Sequence, residues 1–128
     1  GLKPVGVDFI DRIEAEMVII DMPREIRMLH KKVLAKCSLV VCTGDPDYHH
    51  LLKLREVIDR DPFLIINKYG RLQAPLDFKE LFGVEPEKLP LFEGVYDSIL
   101  TGEPLVCFDG KAEKLFAKLY QKIMLRIT

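Results

Sequence analysis

The chain has 128 residues, of which 48% are hydrophobic, and this size and composition match one ordinary soluble domain. Its 19 basic and 20 acidic residues give a formal net charge of -1, which provides no electrostatic footprint for nucleic acid. No apolar stretch approaches the roughly 20 residues that span a bilayer, and no leader-like pattern is present. We therefore expect a cytoplasmic protein without nucleic-acid partners.

The three cysteines, Cys37, Cys42 and Cys107, are odd in number and form no Cys-x-x-Cys pair. This pattern argues against a disulfide framework and against a zinc site. We interpret all three as reduced, small core residues.

Three apolar runs each end in polar residues, at 17–23, 37–44 and 63–68. Continuous apolar and β-branched runs of this length are typical of buried parallel strands. The strand ends would place Asp21, Thr43, Asn67 and Lys68 at one edge of the sheet. Open α/β sheets bind ligands at that carboxyl edge.

Helical periodicity lies between and after these runs, at residues 24–36, from Asp45 to the Asp61-Pro62 pair, and at 77–82, 95–101 and 111–127, with a short strand at 88–92. Asp45 is the predicted N-cap of the second helix, with Pro46 at its first position. Gly83 and Gly102 are predicted helix stops. Strands alternating with helices predict one α/β domain over residues 1–128, with a mostly parallel sheet flanked by helices.

From about residue 10 to residue 125 the chain resembles the C-terminal part of the MinD/ParA group of deviant P-loop ATPases. The matching features are the Ile-Asp-Met-Pro end of the first run, the Val-Val-Cys-Thr-Gly-Asp-Pro end of the second and the Asn-Lys end of the third. A Leu-Pro strand at 89–90, a Gly-Glu-Pro-Leu stretch at 102–105 and the last helix follow in the order of the family. The resemblance implies an incomplete Rossmann-like, P-loop NTPase-type domain.

The resemblance implies a role for individual positions. Asp21 corresponds to the acidic residue that holds Mg²⁺ through water, and a carboxylate suits this hard cation. Asn67 corresponds to the asparagine that reads the adenine edge of ATP, with Lys68, Pro90 and the loop at 91–93 beside the base. Two plainer interpretations stay open, namely Asp21 as a turn residue and Asn67 as a loop residue with a local backbone hydrogen bond.

The phosphate-binding loop of the family has no counterpart upstream of Asp21, because residues 1–20 contain no Gly-x-x-x-x-Gly-Lys-Ser/Thr pattern. Without its amides and lysine, this chain alone is not expected to hydrolyse ATP, and it contains no predicted catalytic residue. The Asp-Met-Pro-Arg sequence at 21–24 is closer to the Asp-x-Pro-Arg of the CpaE/TadZ-type relatives, whose phosphate loops are often degenerate.

The missing loop strand would leave a gap in the middle of the family's sheet. We favour the interpretation that the 128 residues are one piece of a longer polypeptide, with the phosphate loop supplied by another segment. A substitute strand at residues 3–7 and direct pairing of the neighbouring strands are the alternatives.

The resemblance implies a nucleotide-linked role in positioning or assembling cellular machinery, such as that of cell division, with a homodimer and protein partners expected. A non-catalytic interaction module of the same fold is the alternative. A receiver-like phosphoacceptor site at Asp21, Thr43 and Lys68 is a further one, although 20 residues before Asp21 are too few for a receiver. The last helix carries a basic stripe, at Lys114, Lys118, Lys122 and Arg126, which we interpret as a solvated face rather than a membrane anchor.

Overall fold

The computed structural model describes residues 6–58, 60–70 and 77–127, and the chain divides into two units, residues 1–38 and residues 39–128. None of the described residues of the first unit is buried. The core of the protein therefore lies in the second unit.

The first unit contains a 3₁₀ helix at Val7–Arg12 and helix α1 at Met28–Lys36. The Nζ atom of Lys36 lies 2.5 Å from Oδ2 of Asp11, and this hydrogen bond raises the pKa of the lysine. The contact ties the end of α1 to the 3₁₀ helix.

The strand predicted at residues 17–23 is wrong. Residues 13–27 contain neither helix nor strand, and Ile19 is 86% exposed. An apolar run forms a strand where a neighbouring strand pairs its backbone and another layer covers its side chains. Met17 and Val18 remain 43% and 41% exposed. The covering layer that a buried strand requires is therefore missing here.

Helix α1 begins at Met28, four residues later than predicted. The backbone N–H of Arg27 donates a hydrogen bond of 2.9 Å to Nδ1 of His30, which caps the helix at this point. The prediction of a helix in this region is confirmed, and its predicted first turn is wrong because the cap is formed downstream.

The described residues of the second unit form three parallel strands in the order β1, β2, β3: β1 at Val41–Gly44, β2 at Phe63–Ile66 and β3 at Glu87–Lys88. All four residues of β2 are buried, as expected for a strand covered on both faces. The molecule is thus an α/β protein with a small parallel sheet, compatible with a Rossmann-like fold. The strands are shorter than the runs that predicted them.

Within the described part of this unit, four helices accompany the sheet: α2 at Tyr48–Val57, α3 at Phe78–Phe82, α4 at Val95–Thr101 and α5 at Gly110–Ile127. A 3₁₀ helix at Leu105–Cys107 precedes α5. Gly83 and Gly102 end α3 and α4 in the left-handed conformation, at φ +73° and +74°, which confirms both predicted stops. Asp77 caps α3 by accepting a hydrogen bond from the N–H of Glu80.

The predicted N-cap of α2 is wrong by two residues. The carboxylate of Asp47, not that of Asp45, accepts hydrogen bonds from the N–H groups of His49 and His50, at 3.0 and 3.2 Å. Pro46 consequently lies before the helix rather than in its first turn. Both aspartates are good caps by residue type, and only the path of the backbone decides between them.

The core has one layer on each face of the sheet. Phe63 and Ile65 belong to a buried cluster with residues of α5 and of the loops that precede it, comprising Leu89, Phe92, Ala112 and Leu119. Leu64 and Ile66 alternate to the opposite face. There the side chain of Leu51 in α2 lies 3.5 Å from the position that a Cβ on Gly44 would occupy. The sheet is therefore sandwiched between α5 and α2.

None of the three cysteines, which all lie in the described ranges, forms a disulfide bond, and they differ in environment. Cys42 is buried, and this burial raises the pKa of its thiol to about 11. Cys37 is half-buried and Cys107 is exposed. The core interpretation is confirmed for Cys42 and is wrong for Cys107.

Candidate functional site

The strand ends of the second unit are tied together by backbone hydrogen bonds. The N–H of Asn67 donates to the carbonyl of Gly44 at 2.8 Å, and the N–H of Leu89 donates to the carbonyl of Ile66 at 2.8 Å. The N–H of Tyr69 in turn donates to the carbonyl of Leu89 at 2.8 Å. The segments that follow β1, β2 and β3 are thereby fixed at one edge of the sheet.

A cavity of about 560 Å³ opens at this carboxyl edge. Four residues that the sequence indicated, Thr43, Asn67, Lys68 and Pro90, line it together. The remaining walls are mostly apolar and come from β2, the loop after β3, α4, the 3₁₀ helix before α5 and α5 itself: Ile65, Leu89, Leu91, Phe92, Val95, Leu105, Phe116, Leu119, Tyr120 and Ile123. A mostly apolar cavity with a few polar groups at its rim is the usual form of a small-molecule site.

Asn67 stands at the rim with an exposed side chain. Its Oδ1 accepts a hydrogen bond of 2.9 Å from the N–H of Lys68, so the local backbone interaction considered as the plainer interpretation is formed. An amide oxygen has two lone pairs, and one of them remains for a ligand. The Nδ2 group makes no hydrogen bond to another residue in the described ranges, so both ends of the amide can face the cavity.

Lys68 adopts φ +52°, and among the described residues it is the only non-glycine with positive φ. This left-handed conformation costs about 1–2 kcal/mol for a residue with a side chain. Backbone strain of this kind concentrates at binding sites, where the surrounding structure enforces it. Here the enforcing contacts are the hydrogen bonds of Asn67 and Tyr69 on either side.

Replacing Lys68 with glycine should relieve this strain and raise the free energy of unfolding by about 0.5–1 kcal/mol, since part of the gain is offset by the greater freedom of glycine in the unfolded chain. Urea unfolding measures the change. The matched control is Lys53→Gly within α2, which should lower the free energy of unfolding by about 1 kcal/mol. A loss of stability in Lys68→Gly would contradict the strained conformation.

The charges at the rim are weakly paired. The Nζ atom of Lys68 lies 3.7 Å from Oδ2 of Asp45, and both side chains are more than half exposed, at 59% and 52%. Exposed pairs of this kind contribute little to stability, so the ammonium group is free to contact an anionic ligand. The Nζ atom of Lys88 lies 4.8 Å from the centre of the Tyr69 ring, a cation–π contact that further holds the loop after β2.

Asp47 lies near this edge at the start of α2, and its pKa is lowered. The main cause is the hydrogen bond from the N–H of His50, with further contributions from the charge of His50 and the N–H of His49. The ionised carboxylate therefore favours the folded state.

The folded pKa of Asp47 is below its ordinary value of 3.8, so the stabilisation that its ionised carboxylate gives to the folded state is complete above pH 3.8. This stabilisation is lost as the pH falls through the folded pKa. Asparagine also caps helices but does not titrate. Urea unfolding of the natural protein and of Asp47→Asn is compared at a series of pH values, from neutral to below the folded pKa of Asp47. The difference between their free energies of unfolding, in favour of the natural protein, should shrink at acid pH. A difference that is independent of pH would contradict this role of the carboxylate.

Asp21 lies in the first unit, within residues 13–27, and no strand delivers it to a sheet edge. Its side chain is exposed. Within the ranges that the structure describes, no three His, Cys, Asp or Glu side chains group closely enough to hold a metal ion. The water-mediated magnesium contact of Asp21 remains a prediction.

The aromatic wall of the cavity was not predicted from the sequence. The four-residue spacing of Leu115, Leu119, Ile123 and Ile127 predicts that these residues point inward. Leu119 is buried, and Leu115 and Ile123 pack against the core. The prediction is wrong for Ile127, which is 39% exposed near the end of the helix. Phe116 and Tyr120 follow the same four-residue spacing one position later. This second apolar stripe could have indicated the aromatic wall, because it makes the apolar face of α5 wider than a single buried row of side chains.

The arrangement defines an α/β protein with an apolar cavity at the carboxyl edge of a parallel sheet. No helix in the described part of the chain combines the length and hydrophobicity needed to cross a membrane. Neither a protein-family model, nor a curated protein, nor a solved structure matches this chain.

Proposed function

We propose that this chain is the base-binding part of a MinD/ParA-like protein that positions or assembles cellular machinery, and that it binds the adenine ring of ATP in the cavity at the sheet edge. The observation that carries the proposal is the meeting of Asn67, Lys68 and Pro90 in one cavity. Pro90 lies 22 residues after Lys68 in the sequence, and the family resemblance places all three residues at or beside the base.

The chemistry of the cavity suits an adenine base. Its volume of about 560 Å³ lies within the range of about 300–1,000 Å³ that is usual for ligand sites. The apolar walls would take the faces of the ring, with Phe92 and Phe116 contributing aromatic surface. The remaining lone pair of the Asn67 Oδ1 and its Nδ2 would match the donor and acceptor on the adenine edge.

Lys68 would lie beside the base and contribute the charge of its ammonium group. Its ammonium group is exposed and weakly paired with Asp45, so it can turn towards a phosphate oxygen. A single flexible lysine does not replace the array of backbone amides in a phosphate loop. The phosphates would therefore add little to the affinity that the base provides.

Turnover would require residues outside this chain. The sequence contains no phosphate loop, and Asp21 supplies one carboxylate for an ion that takes six oxygen ligands, several of them water. The residues present fit the base, and they do not by themselves fit a complete site for the magnesium triphosphate.

Calorimetry with adenosine, magnesium ATP and guanosine tests the proposal. Adenosine and ATP should both release heat on binding, with dissociation constants within about tenfold of each other, because the base supplies most of the contacts. Guanosine is the matched control, since its edge presents a carbonyl and a ring N–H where adenine presents an amino group and a ring nitrogen. Absence of heat with adenosine at millimolar concentration would contradict adenine binding.

A non-catalytic interaction module is the second candidate. It is favoured by the exposed apolar face of α4, where Tyr96, Ile99 and Leu100 are 73%, 73% and 83% exposed at helical spacing. Such patches are common at protein contact sites. A receiver-like site would need Asp21 at a strand end, and residues 17–23 form no strand.

A further inference from the structure

Helix α4 carries three exposed apolar side chains that take no part in the core. Tyr96, Ile99 and Leu100 are 73%, 73% and 83% exposed, and their spacing of three and four residues places them side by side on the helix. Val95 in the same helix packs against the core cluster and lines the cavity, whereas the three exposed residues do neither. We call Tyr96, Ile99 and Leu100 the α4 face.

Hydrogen bonds hold the end of α4 in a fixed shape. The helix ends at Gly102, and the Oγ atom of Ser98 donates a hydrogen bond of 2.6 Å to the carbonyl of Glu103. The N–H of Glu103 donates to Oγ1 of Thr101 at 3.2 Å. Glu103 is thereby held at the end of the helix. A surface that is formed in advance loses little conformational entropy when a partner covers it.

The segment that contains the α4 face is acidic. Residues 89–109 include Glu93, Asp97, Glu103 and Asp109, and they include no Lys, Arg or His. The whole chain, by contrast, has 19 basic and 20 acidic residues. The negative charge of this segment is therefore a local feature and does not follow from the overall composition.

Three of these four carboxylates are available to a partner. Oδ1 of Asp109 accepts hydrogen bonds from the first N–H groups of α5 and caps that helix. The side chains of Glu93, Asp97 and Glu103 are exposed, and their carboxylates form no ion pair with a residue in the described ranges. Glu93 and Glu103 lie before and after α4 and Asp97 lies within it, so negative charge borders the α4 face along its length.

We propose that the α4 face binds a basic amphipathic segment of a partner protein. Apolar side chains of that segment cover the α4 face, and its lysines or arginines pair with the three bordering carboxylates. The charge selects this class of partner, because an anionic lipid surface, a nucleic acid or an acidic protein segment is repelled. The α4 face belongs to the interaction module named as the second candidate function, so the proposal rests on that candidate and not on adenine binding.

The apolar and the acidic parts of this surface have different effects on binding. The apolar centre supplies most of the affinity when water leaves it, and tyrosine is among the residues that most often dominate such contacts. The carboxylates stay solvated at the border, where charge raises the association rate, orients the partner and makes binding sensitive to salt. Removal of the apolar groups should therefore lower the affinity most, and removal of the carboxylates should lower the salt dependence.

Fluorescence anisotropy of a labelled synthetic helical peptide with the full chain tests the proposal. The peptide carries leucine along one face and lysine at the borders of that face. It should bind at least about tenfold more tightly than two matched peptides, one with glutamate in place of every lysine and one with serine in place of every leucine. Added salt should weaken the binding of the lysine peptide.

A double substitution in the α4 face locates the contact. Tyr96→Ser combined with Leu100→Ser should lower the affinity for the lysine peptide at least about tenfold, and circular dichroism should show an intact fold because both side chains are exposed. Met28→Ser combined with Leu125→Ser is the matched control, since these apolar residues of other helices are 75% and 77% exposed. Its affinity should equal that of the natural protein.

A triple substitution tests the role of the charge. Glu93→Gln, Asp97→Asn and Glu103→Gln together should remove most of the salt dependence of peptide binding. The matched control changes the net charge equally and should keep the salt dependence. It replaces exposed glutamates in α2, in α3 and after α3 with glutamine: Glu56, Glu80 and Glu85.

A natural protein that does not bind the lysine peptide, or binding that survives the Tyr96 and Leu100 double substitution, would overturn the proposal. A natural dimer that the double substitution converts to a monomer would also overturn it, since a second copy would then cover the α4 face. Equal binding of the glutamate peptide, lost in the double variant, would overturn the basic partner and leave the interaction module in place. Adenosine binding should be the same in the double variant, because neither residue lines the cavity.

Discussion

Replacing Ile66 with alanine should lower the free energy of unfolding by about 2–5 kcal/mol, among the largest effects that we expect from a single substitution in this chain. Ile66 is fully buried at the end of the central strand β2, where its side chain faces the layer opposite α5. Truncation removes buried methyl groups and leaves a cavity, because a strand held by neighbours on both sides cannot collapse inward. Urea unfolding followed by circular dichroism measures the loss.

The matched control for this substitution is Leu100→Ala. Leu100 lies in α4 and is 83% exposed, so its truncation should change the free energy of unfolding by less than about 0.5 kcal/mol. Losses of similar size in the two variants would contradict the assignment of β2 to the centre of the core.

Asn67→Ala should weaken adenosine binding by about 1–3 kcal/mol, or roughly five- to 150-fold, because it leaves the polar edge of the base without a partner in an apolar cavity. The loss should appear in the affinity for both adenosine and ATP, since both carry the same base. Calorimetry with each ligand measures it.

Gln121→Ala is the matched control, because it removes the same amide group from an exposed position of α5 that does not line the cavity. Its adenosine affinity should equal that of the natural protein. Unchanged affinity in Asn67→Ala would remove Asn67 from the base-binding role. The unfolding curves of both variants establish that each is folded when ligand is added.

Those parts of the fold that depend on local chemistry were predictable from the sequence. Gly83 and Gly102 end their helices because glycine adopts positive φ without the steric cost of a side chain. Strand β2 was predictable because a short, wholly apolar run must be covered on both faces. The convergence of Thr43, Asn67 and Lys68 followed from parallel strand direction alone.

Those parts that depend on distant residues were not predictable. Residues 17–20 are as apolar as β2, and their composition contains no information about whether a neighbouring strand will pair with them. The N-cap of α2 shifted from Asp45 to Asp47 because both side chains can cap and the loop path selects one. The walls that α5 adds to the cavity depend on how that helix rotates against the sheet.

The central claim, that the carboxyl edge of the sheet binds an adenine base, is tested most directly by nuclear magnetic resonance of the Asn67 side-chain amide during titration with adenosine. We expect the Nδ2 proton resonances to shift progressively and to saturate, with smaller shifts at Lys68 and at residues 91–93 beside it. The Gln121 amide should not move. An Asn67 amide that stays unchanged up to millimolar adenosine would contradict the proposed site.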